Sequence, residues 1–229
     1  MAVGVLATDP IPTEPTEAQP LTTRSRARRG WHGGVGLGYV GCARHWCEGS
    51  TGLAGLDLSF GYRWNRFEPV LSIDGAIGGF KEGLLGGQLG IAIEEARLSS
   101  LGVGLGVLLF PRFKERGVAD PYFDLGLGFS GVWLKFAGSG LEVRDWVPRG
   151  SIRIGAGVDF FGTERFSIGP GFRVSIPFAG RECLEIRGLQ EPVDECISMR
   201  RLEEEYGYPA SELPLVWAVM LRGRFIWTG

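Results

Sequence analysis

From Trp31 to Trp227 the chain alternates apolar and small or polar residues, one for one, in eight separate stretches. A period of two puts each set on one face of a β-strand, whereas a helix would need a period near 3.6. The stretches are Trp31–Cys42, Leu53–Trp64, Phe67–Gly79, Leu101–Phe113, Tyr122–Lys135, Ser151–Phe160, Phe166–Phe178 and Leu215–Trp227. In the second, Ala54, Leu56, Leu58, Phe60, Tyr62 and Trp64 share a face, and Gly55, Asp57, Ser59, Gly61 and Arg63 share the other. In the fourth, Leu101, Val103, Leu105, Val107 and Leu109 oppose Gly102, Gly104 and Gly106. The expected class is therefore all-β, with eight antiparallel strands.

The segments between strands alternate in length. Residues 43–51, 80–98, 136–150 and 179–213 read as medium to long loops; Asn65–Arg66, 114–121 and 161–165 read as short connections. Long connections then gather at one end, as in an up-and-down barrel. Hairpins need only short turns, so the extra length is where function is expected. The apolar stretch without a charge from Leu98 to Pro111 is 14 residues. A membrane helix needs about 20, so a helical span is excluded and a strand-built one is not.

Eight such strands close into a barrel, and the question is which face is inside. A lipocalin-like carrier hides its apolar face; a membrane barrel turns it to lipid. The polar face carries glycine in bulk, out of 38 in the chain, together with Asp57, Arg63, Glu68, Asp74, Arg112, Asp124, Arg153, Asp159, Arg173, Arg222 and Arg224. A water-facing strand would lose stability with so much glycine. A narrow lumen instead needs it, to make room for long charged side chains to pair. The apolar face carries an aromatic at one depth on every strand: Trp31, Trp64, Phe67, Phe113, Phe123, Phe160, Phe166 and Trp227. A thinner belt of Tyr39, Trp133, Phe178 and Trp217 lies at the other end. Aromatic girdles mark lipid–water interfaces. The expectation is an eight-stranded antiparallel up-and-down transmembrane β-barrel with long loops at one end and short turns at the other.

In strand count, loop alternation, girdles and the closing strand LVWAVMLRGRFIW, residues 31–227 resemble the small eight-stranded outer-membrane barrels of the OmpA membrane-domain and OmpW type. The resemblance implies a bacterial outer membrane containing lipopolysaccharide, periplasmic termini and exposed loops. Such families commonly end on an aromatic residue; here Thr228 and Gly229 follow Trp227. The segment after Trp227 holds no wall-binding domain, so an OmpA-style tether is not expected.

Residues 1–30 are expected to lie outside the barrel. Four prolines between Pro10 and Pro20 and the basic run Arg24, Arg26, Arg28 and Arg29 read as an extended linker, and MAVGVLA resembles the end of a signal peptide. Cys42 with Cys47 and Cys183 with Cys196 fall in local pairs, read as disulfides of an oxidising compartment, with cross-pairing between the first and last loops as the alternative. Pro192 and the following VDECISMRRLEEEYG read as a short helix. Residues 179–213 carry nine acids and four bases and read as a solvated outer loop, with docking of a basic extracellular partner as the alternative.

The net charge of −2 gives no basis for nucleic-acid binding. No metal or cofactor motif appears, and a monomer is expected. The lumen ions read as a mutually paired plug, with a narrow channel for small or apolar solutes as the rival. Lipid A-modifying chemistry would need a site such as His45 with Ser50 or Ser139 and Asp145, and nothing in their spacing singles these out. The chain is not expected to be an enzyme.

Overall fold

The computed structural model describes residues 29–43, 47, 50–80, 95–111, 119–138, 140–163, 165–188, 193–198, 201, 204 and 214–227. Nine strands form one antiparallel sheet: β1 (Gly30–Ala43), β2 (Ser50–Arg63), β3 (Phe67–Phe80), β4 (Glu95–Leu109), β5 (Ala119–Gly138), β6 (Leu141–Phe161), β7 (Phe166–Arg187), β8 (Val193–Ser198) and β9 (Leu215–Trp227). Consecutive strands pair from β1 to β7, and β9 bridges β7 and β1, closing a barrel of eight. The ninth strand, β8, pairs with the far end of β7. Closure leaves no free edge in the barrel wall.

The alternation sets the inside and outside of the wall. Leu37, Leu105, Leu127 and Leu221 are more than half exposed on the outer surface, while Asp57, Glu68, Arg153 and Asp159 are 1–2% exposed within. The polarity is the reverse of a soluble barrel's.

One rim, the turn rim, holds the tight β2–β3 turn. Trp64 and Phe67 exchange backbone hydrogen bonds of 2.7 and 3.0 Å, and Asn65 adopts φ 54°, a left-handed conformation that asparagine tolerates well. The start of β1 and the end of β9 meet at this rim, where Trp31 opposes Trp227. The opposite rim, the loop rim, differs from the sequence expectation. Residues 136–150 are not a loop: β5 and β6 run on through them and pair as far as Gly138 opposite Leu141. β7 likewise continues through 179–187, and β4 begins at Glu95 inside the expected 80–98 loop. β5, β6 and β7 are 20, 21 and 22 residues long. The other barrel strands are 13–15 residues long, so these three run on beyond the rim set by their neighbours. Together with β8 they form a projecting four-stranded sheet.

The expected helix after Pro192 is also corrected. Val193–Ser198 is β8, paired antiparallel to β7 from Arg181 to Ile186. Arg201 and Glu204 have helical backbone, beyond that strand. Residues 1–28, which include Arg24, Arg26 and Arg28, together with His45, Arg112, Phe113 and Ser139, lie outside the described residues; Ser50 is described by its backbone alone.

Candidate functional site: the filled lumen and the projecting sheet

Inward positions stack in three layers. Nearest the turn rim, Arg224 on β9 reaches across the lumen. Its guanidinium donates to Asp159 on β6 at 2.6 Å, to Glu68 on β3 and lies 3.0 Å from Nδ1 of His32 on β1. His32 is 3.1 Å from the Glu68 carboxylate. Beside them Arg63 bonds Asp120 at 3.1 Å and lies 3.6 Å over the Phe110 ring, a cation–π contact in a desolvated setting. Phe110 packs with Val70, Leu108 and Tyr122 as an apolar floor.

In the middle layer Asp57 accepts from two arginines, Arg222 at 2.6 Å and Arg173 at 2.8 Å. Arg173 also bonds Asp124 at 3.1 Å and sits 3.8 Å from Asp74. Arg153 is 3.9 Å from Asp74 and donates to Ser72, while Arg222 donates to the Tyr122 hydroxyl at 3.4 Å. These bonds join strands that are not neighbours in the wall, so they tie the barrel across its bore. The inward glycines create the room. A Cβ on Gly104 would lie 2.6 Å from the Arg153 guanidinium and 2.9 Å from the Leu127 carbonyl. Replacing Gly104 by leucine is therefore expected to displace Arg153 and cost about 1–3 kcal/mol by overpacking, measurable as a lower urea midpoint of the folded barrel.

The third layer, under the loop rim, is apolar. Val40, Leu53, Leu98, Val132, Leu134 and Met220 pack into one cluster inside the wall. A void of about 30 Å³ separates it from the ions, bordered by Asp74, Ser100, Arg173 and Ser175 on one side and Val40 and Met220 on the other. It has room for no more than a couple of water molecules. Charge in the middle and hydrocarbon at the loop rim together fill the bore among the described residues.

Of the eleven inward ions named from sequence, ten are described, and each of the ten takes part in this lumen layer system. Sequence reasoning missed Asp120, the Tyr122 hydroxyl and Arg149. Arg149 is 2% exposed, bonds Ser130 at 3.1 Å and donates to the Pro214 carbonyl. Its signal was present: the inward phase of β6 continues unbroken from Arg153 through Ser151 to Arg149.

Outside, the girdle at the turn rim comprises Trp31, Trp64, Phe67, Phe123, Phe160 and Trp227, each about half exposed, with Phe166 more covered. Trp31 stacks on Phe60 at 5.1 Å and Phe166 meets Phe225 at 5.0 Å. At the loop rim Tyr39 meets Trp217 at 5.4 Å, and Trp133 stacks on Trp146 at 6.1 Å.

The projecting sheet carries ions on its outer face. Glu142 pairs with Arg144 at 2.7 Å and Lys135 at 3.4 Å; Arg187 pairs with Glu185 at 2.5 Å. The Arg144 hydrogen bond holds Glu142 below the usual carboxylate range, while burial pushes Glu182 up. Cys183 and Cys196 are bonded across β7 and β8, with Cα atoms 4.0 Å apart. Cys42 and Cys47 are bonded with Cα atoms 5.5 Å apart. Removing Cys183–Cys196 by a paired serine substitution is expected to lower the stability of β8 on β7 by about 3 kcal/mol or less. Limited proteolysis should then cut near Gly188 while the barrel core stays resistant; equal resistance in both proteins would contradict this. Among the described residues there is no metal-ligand cluster.

The wall, its reversed polarity and its filled bore define an eight-stranded β-barrel of the outer-membrane type. No protein-family model matches the chain, and no curated protein matches it. Solved structures do. A major outer membrane protein from Thermus thermophilus is similar at 10% identity and TM-score 0.60, over 86% of this chain and 98% of that one. Outer membrane protein OprG from Pseudomonas aeruginosa is similar at 12% identity and TM-score 0.51, over 87% and 98%. Neisserial surface protein A is similar at 12% identity and TM-score 0.50, over 86% and 97%. The chain has the fold of the small eight-stranded outer-membrane barrels.

Proposed function

We propose that the chain is a bacterial outer-membrane protein whose barrel is a closed anchor and whose projecting sheet is the interacting part. The observation that carries this reading is the exposed apolar wall between two aromatic rims, surrounding a bore filled by paired ions and an apolar cap. In lipid the apolar wall is solvated, and closure leaves no open strand edge in the barrel wall. Outer-membrane barrels have short periplasmic turns and longer outer loops, so the turn rim faces the periplasm with both ends of the barrel. The loop rim faces outward into lipopolysaccharide. Two disulfides at that rim fit an oxidising compartment. A closed wall needs no partner strand, which fits a monomer. The acidic outer segment 179–213 is where a basic extracellular partner would dock. The reading assigns the chain no catalytic step; a His45→Ala change that altered lipid A acylation would contradict that.

The competing reading is a narrow channel. Planar-bilayer recordings of the full chain separate the two. A filled bore predicts no steady single-channel current. A reproducible conductance that rises when Leu98 and Met220 are both replaced by alanine would make the apolar cap a gate and the protein a channel.

A further inference from the structure

The outer face of the wall places three basic residues side by side on adjacent strands near the loop rim. Arg97 on β4 lies directly opposite Lys135 on β5, and Lys135 directly opposite Arg144 on β6. The three side chains are 66%, 40% and 46% exposed. Neighbouring strands lie ~4.8 Å apart, so the row spans about 10 Å. Like charges directly opposite one another destabilise a sheet, and this row contains two such pairs. Glu95, Glu142 and Glu185 offset the repulsion from the adjoining positions, at 2.6 Å from Arg97, 2.7 Å from Arg144 and 3.9 Å from Arg144. Exposed ion pairs of this kind contribute little, so exchanging one for a doubly charged anion costs little.

Depth identifies the anion. One same-face step towards the membrane, the matching positions are Ser99, Trp133 and Trp146, with the two indoles stacked. Beyond them the outer face is Leu101, Val103 and Phe129, about half exposed hydrocarbon. Stacked indoles at the end of an apolar wall mark the interface. Two residues along a tilted strand rise about 5 Å, which sets the basic row at the level of lipid headgroups.

We propose that Arg97, Lys135 and Arg144 form a binding site for the phosphate groups of an anionic membrane lipid in the leaflet at the loop rim. The site rests on the membrane reading above and adds a defined lipid contact to it. Arginine and lysine side chains donate charge-assisted hydrogen bonds to phosphate oxygens, and the row can hold two phosphates at once.

The full chain is refolded into phosphatidylcholine nanodiscs doped with lipid A, whose phosphates are uncapped. Bound lipid is counted by native mass spectrometry. The expected result is retention of lipid A, reduced about tenfold or more in Arg97→Gln/Lys135→Gln/Arg144→Gln. Glu142→Gln, which removes the competing carboxylate, is expected to tighten retention. Each variant must keep its heat-dependent shift on SDS gels, which shows that it folds. Equal retention by the triple variant, or weaker retention by Glu142→Gln, overturns the proposal. Equal retention of lipid A and of its dephosphorylated form overturns it, because the contact would then read acyl chains and not phosphate. Failure of the wild-type chain to enter nanodiscs of any composition counts instead against the membrane reading.

Discussion

Replacing Arg224 by leucine is expected to lower the unfolding free energy of the barrel by about 3–5 kcal/mol, the usual cost of breaking a buried ion pair from one side. Arg224 is 4% exposed, and both of its carboxylate partners, Glu68 and Asp159, are 1% exposed. Its loss strands two acids in the buried layer, with His32 3.1 Å from Glu68 and the Arg63 guanidinium also close enough to feel that carboxylate. Much of the cost is the stranded charge, so it should be recoverable. Adding Glu68→Gln and Asp159→Asn to Arg224→Leu is expected to restore part of the lost stability, because neutral amides are cheaper to bury. Urea unfolding in detergent, followed by tryptophan fluorescence, measures both proteins. A loss below about 1 kcal/mol for Arg224→Leu would mean that water reaches this layer and the bore is open.

The second large effect concerns the opposite face. Leu105→Arg is expected to destabilise the barrel by about 2–4 kcal/mol in lipid vesicles, the cost of a cation on the lipid face near mid-bilayer. Leu105 is 69% exposed and lies directly opposite Leu71 and Leu127 on the flanking strands, between the two aromatic rims. On a water-washed surface the same change would stay within about ±0.5 kcal/mol. The two environments therefore predict different numbers for one substitution. Urea titration of the protein in vesicles of matched thickness reads the difference, and a near-zero change would place Leu105 in water.

The strands are legible in the sequence wherever one face is apolar and the other is not. Gly102, Gly104 and Gly106 between Leu101, Val103, Leu105 and Val107 leave a single phase for β4, and the structure keeps it. Legibility fails where the solvent on the two sides becomes the same. Above Trp133 and Trp146 both faces of β5 and β6 carry charge: Lys135, Glu142 and Arg144 point outward while Asp145 points inward. Charge on both faces gives 136–150 the pattern of a loop. The backbone pairing that continues there is set by the neighbouring strand, which periodicity does not report. Pro192 and the acidic residues after it carry helix-start signals, yet Cys196 faces Cys183 across the β7–β8 ladder. Tertiary pairing and the covalent link prevail over a local propensity worth a few tenths of a kcal/mol per residue.

The inner site is legible in part. Long ions alternating with glycine identify an interior, but not which ion meets which. Arg224 pairs with residues 65 and 156 positions away in sequence, a relation fixed by barrel closure. The apolar cap is obscured for a different reason. Val132, Trp133 and Leu134 are all apolar, so the pattern alone does not say which of them face the bore. Register places Val132 and Leu134 inside and Trp133 outside.

The central claim is that the apolar wall faces lipid, and depth-dependent quenching tests it most directly. The full chain is refolded into vesicles whose acyl chains carry bromine at known depths, and tryptophan fluorescence is compared with that in unbrominated vesicles. Trp31, Trp64 and Trp227 lie exposed on the outer wall at the turn rim, and Trp133 and Trp146 at the loop rim. The account predicts strong quenching, greatest for bromines near the carbonyl region and weaker at the bilayer centre. Fluorescence unchanged by bromine at every depth, from a protein that stays folded in plain buffer, would contradict it.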